Sequence, residues 1–202
     1  TTTTCLGRAD GSISCEVNGG TGEKTCSLYK GDDEFISNGT IQDGKFLFTG
    51  LAKGSYYLKA EDENGCFSEK SDTIKILDPE PLSIEVTGTT ELKCFGDSDG
   101  VISYETFGGT GNKTVYLKYP NGDIKEGDEN SNSFSGLSTG KHYLSATDDK
   151  GCASNTIGVT IEEPEALYLS LETKNVTING TDNGRLSASF SGGTEPYTLS
   201  VD

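Results

Sequence analysis

The sequence predicts an all-β protein made of tandem antiparallel β-sandwiches of the immunoglobulin type, and three observations lead to that class. Apolar and polar residues alternate with the period of two expected of half-buried strands, for example at residues 101–104 and 157–161. Asp-Gly, Asn-Gly and Gly-Gly pairs, drawn from 27 glycines, mark tight turns between these segments. No stretch keeps a helical period of 3.6 residues over several turns. About seven short strands in each roughly 86-residue segment suit a two-sheet sandwich.

Three sequence boxes each occur twice in the chain. Residues 5–14 (CLGRADGSIS) return as residues 94–103 (CFGDSDGVIS), and the Gly-Gly-Thr-Gly box at 19–22 returns at 108–111. Residues 50–66 return as 136–152, and both segments end in Asp-x-x-Gly-Cys. A third copy begins with Asn183-Gly184 and Gly192-Gly193-Thr194. Self-similarity at a fixed period indicates a repeat architecture.

The repeats predict the domain boundaries. We expect immunoglobulin-like repeats at 1–81, 82–166 and 167–202, the first without its first strand and the third cut short. Prolines lack an N–H and stiffen the chain, so Asp78-Pro79 and Glu163-Pro164 are interpreted as linkers. The chain does not open on a signal segment. We therefore expect a mature or excised piece of a longer array.

Charge excludes some functions. The chain has 32 Asp and Glu against 16 Lys and Arg, for a net charge of -16 and a pI near 4.4. Nucleic acid would be repelled. No apolar run approaches the roughly 18 residues that span a bilayer, so no direct membrane insertion is expected. Acidic charge spread over repeats would keep an array extended and soluble.

The six cysteines are interpreted as disulfide partners. The repeat suggests bonds Cys5–Cys66 and Cys94–Cys152, because these cysteines occupy equivalent positions in the two copies. The other two, Cys15 and Cys26, flank the Gly-Gly-Thr-Gly turn and are expected to face each other across a hairpin. Disulfides indicate an oxidising setting, so we expect an extracellular or cell-surface location.

Neither zinc nor a Cys/His nucleophile is predicted. There is no Cys-x-x-Cys, and the single histidine, His142, is replaced by Tyr56 in the first copy. The chain is not expected to be an enzyme. Tyr57 and Tyr143 each follow a turn glycine by three residues, which predicts either tyrosine corners or half-buried strand aromatics.

Acidic turns leave two interpretations open. Asp97 and Asp99 could bind calcium, because closely spaced carboxylates beside a glycine turn suit that ion, or they could form a solvated hairpin turn. The Asp97 position is arginine in the first copy, and no loop approaches an EF-hand. No other cofactor is predicted. Four sequons permit glycosylation in a eukaryotic host, at Asn38, Asn112, Asn175 and Asn179.

Taken together, the boxes Cys-x-Gly-x-x-Asp-Gly-x-Ile, Gly-Gly-Thr, Gly-Leu-x-x-Gly-x-x-Tyr, Asp-x-x-Gly-Cys and Glu-Pro resemble the SprB-like repeat family over essentially the whole chain. The third copy departs from it with Ile178 in place of the first cysteine, and a Pro-Tyr after Gly-Gly-Thr occurs only at Pro196-Tyr197. The resemblance implies surface display and adhesion or filament building, and it brings no catalytic residues.

Two functions are therefore predicted. The first is an extracellular stalk or filament with an adhesive role, whose partners are neighbouring repeats or identical subunits. The alternative is a lectin-like module in which Tyr29, Tyr116 or Tyr119 stack on surface glycans.

Overall fold

A computed structural model describes residues 2–31, 33–127, 131–175, 177, 179–180 and 182–200. Within these ranges the regular secondary structure is all β-strand, as the sequence predicts. Ile178, where the third copy departs from the first-cysteine box, lies outside the described residues. A search of the described residues finds no helix with the length and apolarity to cross a membrane.

Contacts divide the chain into two compact units, and neither unit is one continuous segment. The first comprises Thr1–Ser83, Thr106–Lys113 and Ala146–Asn155; the second comprises Ile84–Glu105, Thr114–Ser145 and Thr156–Asp202. The boundaries expected at residues 81 and 166 stay a prediction.

Seven strands lie in the described part of residues 2–82. They are β1 (Gly11–Cys15), β2 (Lys24–Lys30), β3 (Glu34–Asn38), β4 (Thr40–Gln42), β5 (Lys45–Leu51), β6 (Gly54–Asp62) and β7 (Ile74–Ile76). They form two sheets, with strand orders β1-β5-β4 and β3-β2-β6-β7, and the pairings are antiparallel. The two sheets share one core, to which the first sheet contributes Ile13, Phe46, Phe48 and Leu51, and the second Cys26, Leu28, Tyr56, Leu58 and Ile76.

Nine further strands follow. They are β8 (Ser83–Thr90), β9 (Gly100–Phe107), β10 (Lys113–Lys118), β11 (Ile124–Glu126), β12 (Ser133–Leu137), β13 (Gly140–Asp148), β14 (Ile157–Ile161), β15 (Tyr168–Lys174) and β16 (Arg185–Ser191). Two sheets have the orders β12-β9-β8 and β11-β10-β13-β14, and β15 pairs with β16. Buried side chains alternate along the strands, as in Ile102 and Tyr104 of β9 or Val115 and Leu117 of β10.

The hydrogen bonds that define a tyrosine corner are made by the residues one position before the predicted tyrosines. Tyr56 donates its hydroxyl hydrogen to Ala52 O at 2.8 Å, and His142 Nε2 makes the equivalent contact with Ser138 O at 2.9 Å. Both side chains are buried, whereas Tyr143 is 39% exposed. The tyrosine-corner interpretation of Tyr57 and Tyr143 is therefore wrong: neighbouring strand residues point to opposite faces, and the core between the sheets contains Tyr56 but not Tyr57.

Glycine is required where β9 passes close to its neighbours. A Cβ on Gly100 would lie 2.8 Å from Leu137 O and 2.9 Å from Ile161 Cγ2. Gly11, at the equivalent position of β1, would meet Leu51 O and Ile76 Cγ2 at the same distances. The glycine of the Asp-Gly box is thus fixed by packing, in addition to its role after a turn.

We predict that Gly100→Ala lowers the free energy of unfolding by about 2 kcal/mol, because the added methyl overpacks the core. Gly88→Ala is the matched control: nothing lies within 4 Å of a Cβ built on this strand glycine. Its alanine variant should be neutral or about 0.5 kcal/mol more stable. Urea unfolding of both variants gives the comparison, and equal effects would contradict the close packing at Gly100.

Candidate functional site: the linker clamp

Cys5 and Cys152 form a disulfide that spans 147 positions of sequence. Both cysteines belong to the first compact unit. The predicted pairs Cys5–Cys66 and Cys94–Cys152 are therefore wrong, and Cys66 and Cys94 are free and exposed. Equivalent sequence positions identify which cysteines are alike, but they do not say whether a bond forms within one copy or joins two copies.

The loop that carries Cys5 is tied to the linker at residues 77–82. Thr3 N donates to Leu77 O at 2.9 Å, and Thr3 Oγ1 donates to Asp78 Oδ1 at 2.7 Å. Thr3 is only 2% exposed, so these bonds satisfy groups that water cannot reach. The start of the chain is thereby held against the end of the first sequence repeat.

The Gly-Gly turn of the second sequence repeat binds the same linker three residues further along. Gly109 N donates to Glu80 O at 3.0 Å. Gly108 has a left-handed φ of 62°, and a Cβ there would lie 2.2 Å from Pro81 O. Only glycine permits this approach of turn to linker. We call the set formed by Cys5, Cys152, residues 77–82 and the turn at 108–109 the linker clamp.

Asp148 joins the Gly-Gly turn to the cysteine. Its Oδ2 accepts Thr110 N at 2.7 Å, and its Oδ1 accepts Lys150 N and Cys152 N, both at 2.9 Å. Burial raises the pKa of the carboxyl, but the N–H groups of Cys152, Thr110 and Lys150 outweigh it and hold that pKa below its usual value. One ionised side chain therefore positions both the turn and Cys152.

Asp62 plays the same part in the first sequence repeat. It accepts backbone N–H bonds from Thr21, Asn64 and Cys66 at 2.9, 3.0 and 3.0 Å. These bonds, that from Thr21 first, lower the pKa of Asp62. The aspartate of the Asp-x-x-Gly-Cys box is thus a backbone acceptor in both copies.

Cys15 and Cys26 lie close to each other, with their Sγ atoms 3.2 Å apart. They belong to β1 and β2, which are in different sheets, so they face each other across the sandwich and not across a hairpin as predicted. Burial, followed by the contact with Cys15, raises the pKa of Cys26 to about 12. Both are free thiols in the structure, and the predicted bond between them stays a prediction.

The Asp-Gly turns have a backbone role at the predicted calcium residues. Asp99 accepts Lys93 N at 3.3 Å and pairs with Lys93 Nζ at 3.5 Å. Asp97 is exposed, and its N–H donates to Cys94 O at 3.2 Å. In the described ranges, no cluster of three or more His, Cys, Asp or Glu side chains could hold a metal ion. Calcium binding at Asp97 and Asp99 stays a prediction.

The bond from Lys93 N to Asp99 has an equivalent in each of the other copies. In each case the side chain accepts the N–H of the residue six positions before it. Asp10 accepts Thr4 N at 2.8 Å, and Asn183 Oδ1 accepts Thr177 N at 3.1 Å. The sequence could have indicated this role, because Asp and Asn share the acceptor oxygen while Asn lacks the charge that calcium favours.

The remaining predicted residues lie at the surface or in ring contacts. Tyr29 stacks on Tyr57 with centroids 5.2 Å apart, and Tyr119 contacts the buried His142 edge-on at 5.7 Å. Tyr116 is half-buried. The four sequon residues Asn38, Asn112, Asn175 and Asn179 are exposed. Glycan stacking and glycosylation stay predictions.

No protein-family model matches the chain, and no curated protein matches it. Similar solved structures include the amphioxus IgVJ-C2 molecule, 12% identical over 80% of this chain and 99% of that one, with a TM-score of 0.38. A C-terminal 282-residue fragment of intimin, solved with the intimin-binding domain of the translocated intimin receptor, is 14% identical over 78% and 59% of the two chains, with a TM-score of 0.37. A tetra-tandem repeat from the extending region of a large adhesion protein is 15% identical over 94% and 56%, with a TM-score of 0.30.

These similarities concern the fold alone. The predicted class, all-β with immunoglobulin-like antiparallel sandwiches, is confirmed by the sheets described above, and the number of tandem repeats stays a prediction. The resemblance to SprB-like repeats stays a prediction.

We predict that Asp148→Asn lowers the free energy of unfolding by about 2 kcal/mol at pH 7, because at least one backbone N–H loses its acceptor. The pKa of Asp148 is lowered in the fold, so its contribution to stability is present above the unfolded pKa of about 4 and is lost as pH falls through the folded value. The gap between parent and variant should therefore shrink below about pH 4.

Asp72→Asn is the control for this experiment, because the exposed Asp72 side chain bonds no described residue. It should change stability little at any pH. A gap between parent and Asp148→Asn that stays constant down to pH 2 would contradict the role of the ionised carboxylate.

Proposed function

We propose that this chain is part of an extracellular structural and adhesive array, a stalk or filament of immunoglobulin-like repeats of the SprB-like type at residues 1–81, 82–166 and 167–202. The role is mechanical and not catalytic. Its partners are neighbouring repeats or identical subunits, and surface glycans at the tyrosines named above are the alternative. The observation that carries the proposal is the linker clamp, which fastens two successive sequence repeats together.

The disulfide changes how the chain carries tension. When the two ends are pulled, the covalent path runs from Thr1 to Cys5, across the disulfide, and from Cys152 to Asp202. The 147-residue separation of the cysteines means that most of both repeats lie in a loop that bears no load. Fully extended, that loop would add about 500 Å. A stalk built this way keeps its length under force.

The surrounding bonds support the same role. The linker accepts a backbone N–H from Thr3 at Leu77 O and another from Gly109 at Glu80 O. Its prolines already stiffen the linker, and hydrogen bonds to two of its carbonyls restrain bending further. The charge of -16 keeps an extended array soluble and discourages collapse.

Force spectroscopy on the oxidised full chain, pulled between its termini, tests the load-bearing role. The parent should show a total contour length about 500 Å shorter than Cys5→Ser, because the variant exposes the loop to force. Cys66→Ser is the matched control and should match the parent, since Cys66 is free in the structure. Equal contour lengths for the parent and Cys5→Ser would contradict the proposal.

A further inference from the structure

The free Cys94 lies in the same backbone frame as the bonded Cys5. Cys94 O accepts Asp97 N at 3.2 Å, and Cys5 O accepts Arg8 N at 3.1 Å. The glycine two residues after each cysteine has a left-handed φ, 79° at Gly96 and 75° at Gly7. The loop around Cys94 therefore has the form of the loop that presents Cys5 to its partner.

The free Cys66 matches the bonded Cys152 in the same way. Cys66 O accepts Asp62 N at 3.1 Å, and Cys152 O accepts Asp148 N at the same distance. Each aspartate also accepts the N–H of its cysteine, at 3.0 and 2.9 Å. Both free cysteines are thus held as the two halves of the existing disulfide are held.

The second linker makes the same two bonds as the first. Leu92 N donates to Glu162 O at 3.0 Å, as Thr3 N donates to Leu77 O. Gly193 N donates to Glu165 O at 2.7 Å, which repeats the contact of the Gly-Gly turn with the first linker. Gly192 leaves no room for a Cβ, which would lie 2.0 Å from Ala166 O. The third sequence repeat therefore docks on the second linker in the same way as the second repeat docks on the first linker.

We propose that the disulfides of this array run from each repeat to the next. Cys94 bonds the cysteine of the following repeat that corresponds to Cys152, and Cys66 bonds the cysteine of the preceding repeat that corresponds to Cys5. The Cys5–Cys152 bond is then one member of a regular series. This inference rests on the proposed array, because it needs further repeats of the same kind.

The bond forms by thiol–disulfide exchange. Two cysteine thiols give up two protons and two electrons, and a small-molecule disulfide such as oxidised glutathione is reduced to two thiols. In a chain with no further repeat present, Cys66 and Cys94 have no such partner, in agreement with their exposure.

The test is a full chain in which residues 82–166 are duplicated in tandem and refolded with oxidised and reduced glutathione. In the second copy, Cys94→Ser removes the duplicate thiol that would have no partner, and Ala153→Ser gives its Cys152 peptide a distinct mass. Peptide mapping without reduction should find Cys94 joined to the second copy of Cys152, beside the original Cys5–Cys152 bond. Alkylation of Cys94 under native conditions should fall at least tenfold relative to the parent chain. A Cys94 that stays alkylatable, or that bonds the cysteine of its own repeat, would overturn the proposal.

Two variants complete the test. In the duplicated chain, serine at the second copy of Cys152 should restore alkylation of Cys94 to the parent level. In the parent chain, Cys5→Ser should leave Cys152 and Cys94 both as free thiols, because neither has a neighbour of the correct repeat. A Cys94–Cys152 bond in that variant would overturn the proposal even where the duplicated chain fails to fold.

The map reports connectivity only. If the predicted disulfide map is found but the contour lengths do not differ, the load-bearing role is rejected and the disulfide series stands. If the contour lengths differ as predicted but the map does not show the new bond, the series alone is rejected.

Discussion

The hydrogen bonds to the first linker are the interaction on which the rest of the site depends. Pro79 and Pro81 have no N–H, so this segment offers its neighbours mainly carbonyl acceptors. Two donors reach it, Thr3 N to Leu77 O and Gly109 N to Glu80 O. These two bonds fix where the Cys5 loop and the Gly-Gly turn lie, and the bond from the buried Thr3 pairs a donor that water cannot reach. Asp148 then links that turn to Cys152, because it accepts the N–H groups of both Thr110 and Cys152.

Hydrogen bonds from turn backbones to side chains matter in this protein because the cores are small. Only 32% of residues are hydrophobic, and each strand contributes only a few buried side chains to the core. Turns that would otherwise be free are closed by side-chain acceptors, Asp62 and Asp148 at the cysteine turns and Asp10 and Asp99 at the Asp-Gly turns. The repeated boxes are therefore explained chiefly by backbone geometry and not by ligand chemistry.

Strand periodicity made most of the fold predictable. The alternation at residues 101–104, 114–118 and 157–161 corresponds to β9, β10 and β14. The corner tyrosine was missed by one residue, because Tyr56 and Tyr57 are adjacent and the sequence alone does not say which faces inward. The glycine boxes indicated turns, but the contact of Gly108 with Pro81 depends on tertiary packing.

The site was less predictable than the fold. The repeat identified which cysteines could pair. Whether the bond forms within one copy or between copies depends on how the Gly-Gly turn docks on the linker, which the sequence does not show. Thr3 lies in a run of four threonines that carries no pattern, so its two linker bonds gave no sequence signal. The acidic residues of the turns suggested calcium because carboxylates that accept backbone N–H bonds cannot be distinguished by sequence from those that bind cations.

Disulfide mapping of the oxidised 202-residue chain is the most direct test of the central claim that the clamp fastens one repeat to the next. Proteolysis without reduction, followed by mass spectrometry, should yield one cross-linked pair that contains Cys5 and Cys152, with Cys66 and Cys94 recovered as alkylated thiols. Recovery of Cys5 joined to Cys66 together with Cys94 joined to Cys152 would contradict the account.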